Sequence, residues 1–217
     1  MTHASSEEEI KAMRSDFGLR LSSSMAQYGP LCVGIDPHRK NLTDWGITST
    51  RKARSCSPCA CFRPCETAPP LSNSRSPCSS ATVQGIRGAR TSALRRSSNG
   101  HHHHRGLLHG GLSTTISAIA DAYFKPGAPL LADAITLLPY YGARSLRGLT
   151  NEALNNGRGV FIASLTSNQE GASMQTAIRQ SGDFKGKTVA FGIASTAQKF
   201  NDDIDGMGSV GSSSAPP

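Results

Sequence analysis

No apolar run in this 217-residue chain approaches the ~20 residues that a membrane-spanning helix needs. No charged segment leading into an apolar one opens it either, so neither a membrane span nor a secretory leader is expected. Cysteine is nearly missing outside one stretch. Cys56, Cys59, Cys61, Cys65 and Cys78 lie within residues 49–111, and the sixth, Cys32, sits in an apolar run where a buried thiol is expected. Reduced thiols and a cytoplasmic protein are the expectation. No repeat of fixed period is present, which excludes solenoids and propellers.

Acidic residues are missing from the same stretch. Residues 49–111 carry ten basic side chains (Arg51, Lys52, Arg54, Arg63, Arg75, Arg87, Arg90, Arg95, Arg96 and Arg105) against the single acid Glu66. Subtracting these from the whole-chain 23 Lys+Arg and 15 Asp+Glu leaves 13 basic and 14 acidic residues. The flanks are therefore close to neutral. A net charge of +8 would ordinarily point to nucleic acid or an anionic surface, but here it belongs to one Arg-, Ser-, Pro- and Cys-rich tract and says little about the folded part, for which no nucleic-acid partner is expected.

The flanks read as pieces of an α/β protein. Ser5 and Ser6 precede Glu8 and Glu9 at capping-box spacing, and Ile10, Met13, Phe17, Leu19, Leu21 and Met25 recur at roughly helical intervals, so helix is predicted to about Gln27, ending at Gly29-Pro30. Leu31 to Ile35 reads as a buried strand stopped by Asp36-Pro37. Beyond the tract, helix is expected from Ser113 or Thr114 to Phe124, strand over 131–138, helix over 145–155, strand over 160–165, a loop at 166–171, and helices near 172–180 and 188–200. That alternation fits a parallel βα architecture.

Several motifs have plainer readings. Cys56-x-x-Cys59 with Cys61, Cys65, Cys78, His101 to His104 and His109 offers soft ligands for zinc, but the spacing matches no common zinc module and five prolines interrupt it; incidental thiols are expected and no metal site is assigned. Gly206-Met-Gly208-Ser-Val-Gly211 matches a dinucleotide-binding string but follows a polar stretch instead of a strand. Asn41-Leu-Thr43 has no meaning as a glycosylation site in a cytoplasmic protein. Asp36, Thr136, Pro139 and the 166–171 loop all follow or end strands, where a polar turn competes with a ligand contact.

Three blocks in order carry a family resemblance. They are Gly29-Pro-Leu-Cys-Val-Gly-Ile-Asp-Pro-His38, Pro129-Leu-Leu-Ala-Asp-Ala-Ile-Thr-Leu-Leu-Pro-Tyr-Tyr-Gly142, and Gly157-Arg-Gly-Val-Phe-Ile-Ala-Ser-Leu-Thr-Ser-Asn-Gln-Glu-Gly171. Together they resemble bacterial orotidine 5′-phosphate decarboxylases, in the branch whose first strand ends Gly-Ile-Asp-Pro-His, over about 16–48 and 112–210. The resemblance implies a TIM (β/α)8 barrel, a homodimer, and cofactor-free conversion of orotidine monophosphate to uridine monophosphate and CO2 in pyrimidine biosynthesis. It also implies that Asp36 contacts the substrate ribose and that Thr136 and Pro139 help bind substrate.

The family's charged array is what this chain lacks. The resemblance implies a Lys ending the second strand and an Asp-x-Lys-x-x-Asp motif after the third, whose ammonium donates a proton to the carbanion while paired charges hold the geometry. The second position falls on Gly106-Leu-Leu-His-Gly-Gly111, with Leu108 where the donor Lys belongs; the first falls on Ser72-Asn73-Ser74. Leu138 replaces the usual Ser or His before Pro-Tyr. No catalytic residue is retained.

A shifted reading frame is the expected origin of both the tract and the C-terminus. Family members commonly continue Gly-Ser-Val-Gly with Val-Val-Val-Gly-Ala-Thr; written GTC GTC GTC GGC GCC ACC and read one base on, this gives Ser-Ser-Ser-Ala-Pro-Pro, the residues 212–217 found here. The expected organisation is thus N-terminal helices and the first barrel strand in 1–48, a disordered or aberrant tract in 49–111, middle βα units in 112–210, and an aberrant tail in 211–217. The expected fold is α/β, an incomplete TIM barrel. Two other readings stay open: zinc or nucleic-acid binding through 49–111, and a non-functional fragment.

Overall fold

The computed structural model describes residues 7–30, 32–35, 71–75, 102–109 and 113–215. Its framework is one parallel sheet of six strands: β1 (Cys32–Ile35), β2 (Leu71–Arg75), β3 (His102–His109), β4 (Ala134–Leu137), β5 (Gly159–Leu165) and β6 (Val210–Ser214). Every strand lies beside its neighbours in sequence, in the order β1 to β6. Parallel neighbours require crossovers, and between β3 and β6 helices supply them. These are α2 (Ser113–Tyr123), α3 (Arg147–Asn155) after a 3-10 turn over Ala143–Leu146, α4 (Gln169–Gln175) and α5 (Val189–Gln198). An N-terminal helix, α1, spans Glu7–Tyr28. Among the described residues the six strands form part of a TIM barrel, which has eight.

Alternation along the strands separates the two faces of the sheet. Ile135, Leu137, Val160, Ile162 and Val210 join Ile116, Phe124, Leu146, Leu149, Leu154 and Ile193 in the main core between sheet and helices. Ala134 and Phe161 face the other way and meet Phe17, Leu21 and Met25 of α1. Since Ala134 and Gly159 open β4 and β5, α1 lies across the N-terminal ends of these strands. The clasp is polar as well as apolar: the Gly18 amide donates to Ser209 Oγ at 3.1 Å, and the Ser209 carbonyl accepts from Val160 at 3.0 Å. A Cβ on Gly18 would lie 2.0 Å from the Met207 carbonyl oxygen, so only glycine allows this approach.

Two stretches of the basic tract are strands. β2 and β3 both fall within 49–111 and extend the ladder from β1 to β4; the rest of the tract, including its five cysteines, lies outside the described residues. The C-terminal serines form a strand too. Ser212 donates to Ser164 Oγ at 2.7 Å, Ser164 donates to the Ser213 carbonyl at 3.0 Å, and the Asn201 side chain brackets Val210 with hydrogen bonds of 2.7 and 3.2 Å. Cys32, expected to be buried, is exposed. It opens β1, which among the described residues has one neighbouring strand.

Helix limits shift where turns intervene. The 166–171 loop is shorter than expected because α4 starts at Gln169, and the helix expected to reach 180 stops at Gln175. Residues after it are pinned instead by an antiparallel bridge between Ile178 and Thr188. Inside α3, Thr150 is fully buried and its Oγ1 has no hydrogen-bond partner among the described residues. Thr150→Val keeps the shape and removes the orphaned hydroxyl, so it is expected to stabilise the fold by about 1 kcal/mol. A urea midpoint that falls instead would show that this hydroxyl is bonded in solution.

Candidate active site

Parallel strands bring all their C-terminal ends to one edge, which is where sites form on such sheets. The register defines two rows near that edge. Arg75, Gly106, Thr136, Phe161 and Gly211 stand side by side, followed by His109, Leu137, Ile162 and Ser212. Neither row contains a lysine or a carboxylate. Between Gly106 and His109 the ladder is irregular, and Leu108 falls in that irregular stretch. Asn73 aligns with Gly34, His104 and Ala134, one row nearer the start of β4 than Ser74 and two nearer than Arg75.

Thr136 is buried on the face shared with Ala134 and Phe161, and Pro139 is buried just past the strand. The chain then turns sharply: Gly142 donates to the Pro139 carbonyl at 2.9 Å and adopts φ 89°, a conformation glycine tolerates. This turn leaves Tyr140 and Tyr141 exposed, their rings edge to face with centroids 5.6 Å apart. Asp36 lies outside the described residues, so among the candidate binding residues the structure brings together Thr136 and Pro139.

A polar latch that the sequence did not disclose closes the end of β5. Gln175, buried at the end of α4, accepts from the Thr166 amide at 2.9 Å and donates to Thr166 Oγ1 at 2.9 Å, while Thr166 Oγ1 donates to Asn168. A Cβ on Gly171 would meet Gln175 Nε2 at 2.9 Å, so the glycine makes room for the latch. The only sequence hint was glycine beside polar residues.

Chemically the described edge is poor in acid–base groups. Cys32 keeps an exposed surface, yet desolvation raises its pKa from the ordinary thiol value, the opposite of an activated nucleophile. Among the described residues, no group of three or more His, Cys, Asp and Glu side chains is placed to hold a metal ion. Among them too, no helix is long and apolar enough to cross a membrane.

The fold defines a class: a parallel β/α protein of the TIM-barrel type. No protein-family model matches the chain. It is 35% identical over 200 residues to an orotidine 5′-phosphate decarboxylase of Nocardioides sp., covering 90% of this chain and 71% of that protein. It is 34% identical over 206 residues to that of Salinispora arenicola, covering 90% and 69%. Among solved structures, one from Streptomyces avermitilis assigned to orotidine 5′-phosphate decarboxylase superposes with a TM-score of 0.85 at 29% identity, covering 92% of this chain and 69% of that one. The Leishmania donovani OMP decarboxylase shares the fold, with a TM-score of 0.63 at 22% identity over 87% and 67% of the two chains. The chain belongs to the orotidine 5′-phosphate decarboxylase family, a family of carboxy-lyases.

Proposed function

We propose that this chain is a catalytically silent member of the orotidine 5′-phosphate decarboxylase family. One observation carries the reading: the edge rows formed by β2 to β6 contain Arg75 and His109 but no lysine or carboxylate. Decarboxylation in the family, as the sequence resemblance implies it, needs an ammonium donor held among carboxylates, and Leu108 supplies neither charge nor proton. Ser72-Asn73-Ser74 cannot substitute, because neither hydroxyls nor an amide carry a positive charge at neutral pH.

Substrate contacts are a separate matter from turnover. Asp36, Thr136 and Pro139 are the proposed binding residues for orotidine monophosphate, with no cofactor and with a second copy of the chain as partner in the cytoplasm. Exposed Tyr140 and Tyr141 beside the buried Pro139 support that pairing, since aromatic side chains are enriched at interfaces. The altered stretches 49–111 and 211–217 are proposed to come from shifted reading frames. Sequencing the locus decides that point: a clean read with no frame that restores Asp-x-Lys-x-x-Asp would sink it.

The full-length chain is expected to give no decarboxylation of orotidine monophosphate above the buffer rate, followed as the loss of orotate absorbance. Removing preorganised electrostatic stabilisation costs at least about 10²-fold per group, and here the whole array is replaced. Turnover at rates usual for enzymes, on the order of 1–10³ per second, would refute the proposal.

A further inference from the structure

Three cations converge on a cleft in the helical layer. Arg144 in the 3-10 turn, Arg147 opening α3 and Lys199 just after α5 line a cavity of about 420 Å³ with Thr196 and Phe200. The lining includes neither Thr136 nor Pro139, the described candidate binding residues.

Among the described residues, a single carboxylate pairs with two of the three cations. Asp183 Oδ2 lies 2.5 Å from Arg144 Nη2 and 3.9 Å from Lys199 Nζ. Arg147 has no ion pair among the described residues. Gly182, Phe184 and Gly186 all take positive φ, so a tight turn presents Asp183, and the Lys199 ammonium stacks 5.2 Å from the Phe184 ring centre. With Asp183 in place the cleft keeps a local charge of three minus one, or +2.

We propose that this cleft binds a phosphate-bearing small molecule, with the Asp183 carboxylate as the internal anion that competes for Arg144 and Lys199. A phosphate monoester carries close to two negative charges at neutral pH, matching the excess better than one carboxylate does. Guanidinium groups grip phosphate oxygens through paired N–H donors, and two of the three cations are arginines. Thr196 spends its proton on the Gly192 carbonyl at 2.7 Å, which leaves anion recognition to the cations, while Phe200 offers an apolar wall. The volume suits a small ligand.

Titration calorimetry of the full-length chain with inorganic phosphate and with adenosine monophosphate tests the assignment. Arg147→Ala is expected to weaken binding of both probes about tenfold, and Asp183→Asn to tighten it severalfold. Both positions are exposed, so unchanged far-UV circular dichroism should accompany both changes. Tighter binding of the nucleotide than of phosphate would assign the site to organic esters, and equal binding to the inorganic ion; both support the cleft. Absence of binding overturns the proposal. So does binding that neither substitution alters, which would move the anion to the basic stretch at 49–111.

Discussion

Asp133→Ala is expected to cost about 3 kcal/mol of stability, because it leaves the part-buried Arg158 guanidinium without its carboxylate and takes one partner from Arg20. Asp133 Oδ1 sits 2.8 Å from Arg158 Nη1 and 3.3 Å from Arg20 Nη1, and its side chain is only 9% exposed. Arg20 continues the network to Asp16 at 2.9 Å and to the Gly157 carbonyl at 2.9 Å. The network ties α1 to the turns that lead into β4 and β5. Arg158 already has one buried Nε without a partner among the described residues, so it has little capacity to absorb the loss. Asp133→Asn should cost less, since the amide oxygen keeps one acceptor in place. The measurement is the urea midpoint at constant m-value. A loss below about 1 kcal/mol for the alanine variant would mean that solvent reaches both arginines and the pairs act as surface bridges.

Gly159→Ala is the second large effect. An added Cβ would lie 2.2 Å from Cδ1 and 2.4 Å from Cε1 of Phe17. The ring has nowhere to go: it is 1% exposed, stands edge to face with Phe161 at 6.2 Å, and carries the Arg20 guanidinium 5.8 Å from its centre. Overpacking of this kind costs about 1–3 kcal/mol, and a rigid ring against backbone belongs at the upper end. Phe17→Ala alone should cost about 3–5 kcal/mol through the cavity it leaves. In the double variant the new methyl occupies part of that cavity, so the two losses should fall short of their sum by at least about 1 kcal/mol. Strict additivity in the urea midpoints would show that Gly159 and Phe17 do not meet.

These positions also show what was legible before the fold was known. β1, β4 and β5 announce themselves because Cys-Val-Gly-Ile, Ala-Ile-Thr-Leu and Val-Phe-Ile-Ala are compact apolar runs with β-formers. β2 is Leu-Ser-Asn-Ser-Arg and β6 is Val-Gly-Ser-Ser-Ser, without alternation or an apolar run. Their pairing comes from the backbone ladder and, in β6, from Ser164 and Asn201. No local pattern records such partners, because Asn201 and Val210 are brought together by tertiary folding. For the same reason the candidate site was half visible. Thr136 and Pro139 follow from an obvious strand, whereas the Gln175 latch depends on how a short helix folds back over Thr166.

The bond between Gly18 and Ser209 joins residues 191 positions apart. Closing so long a loop carries an entropy cost that grows only with the logarithm of its length, about 0.6 kcal/mol for each doubling. The closure entropy of docking α1 on Ser209 is therefore nearly indifferent to the number of residues between them, so an added or lost surface loop in that interval changes this contribution little. Changes in the middle of such a chain can remove its chemistry while leaving the clasp that holds its ends almost as strong as before.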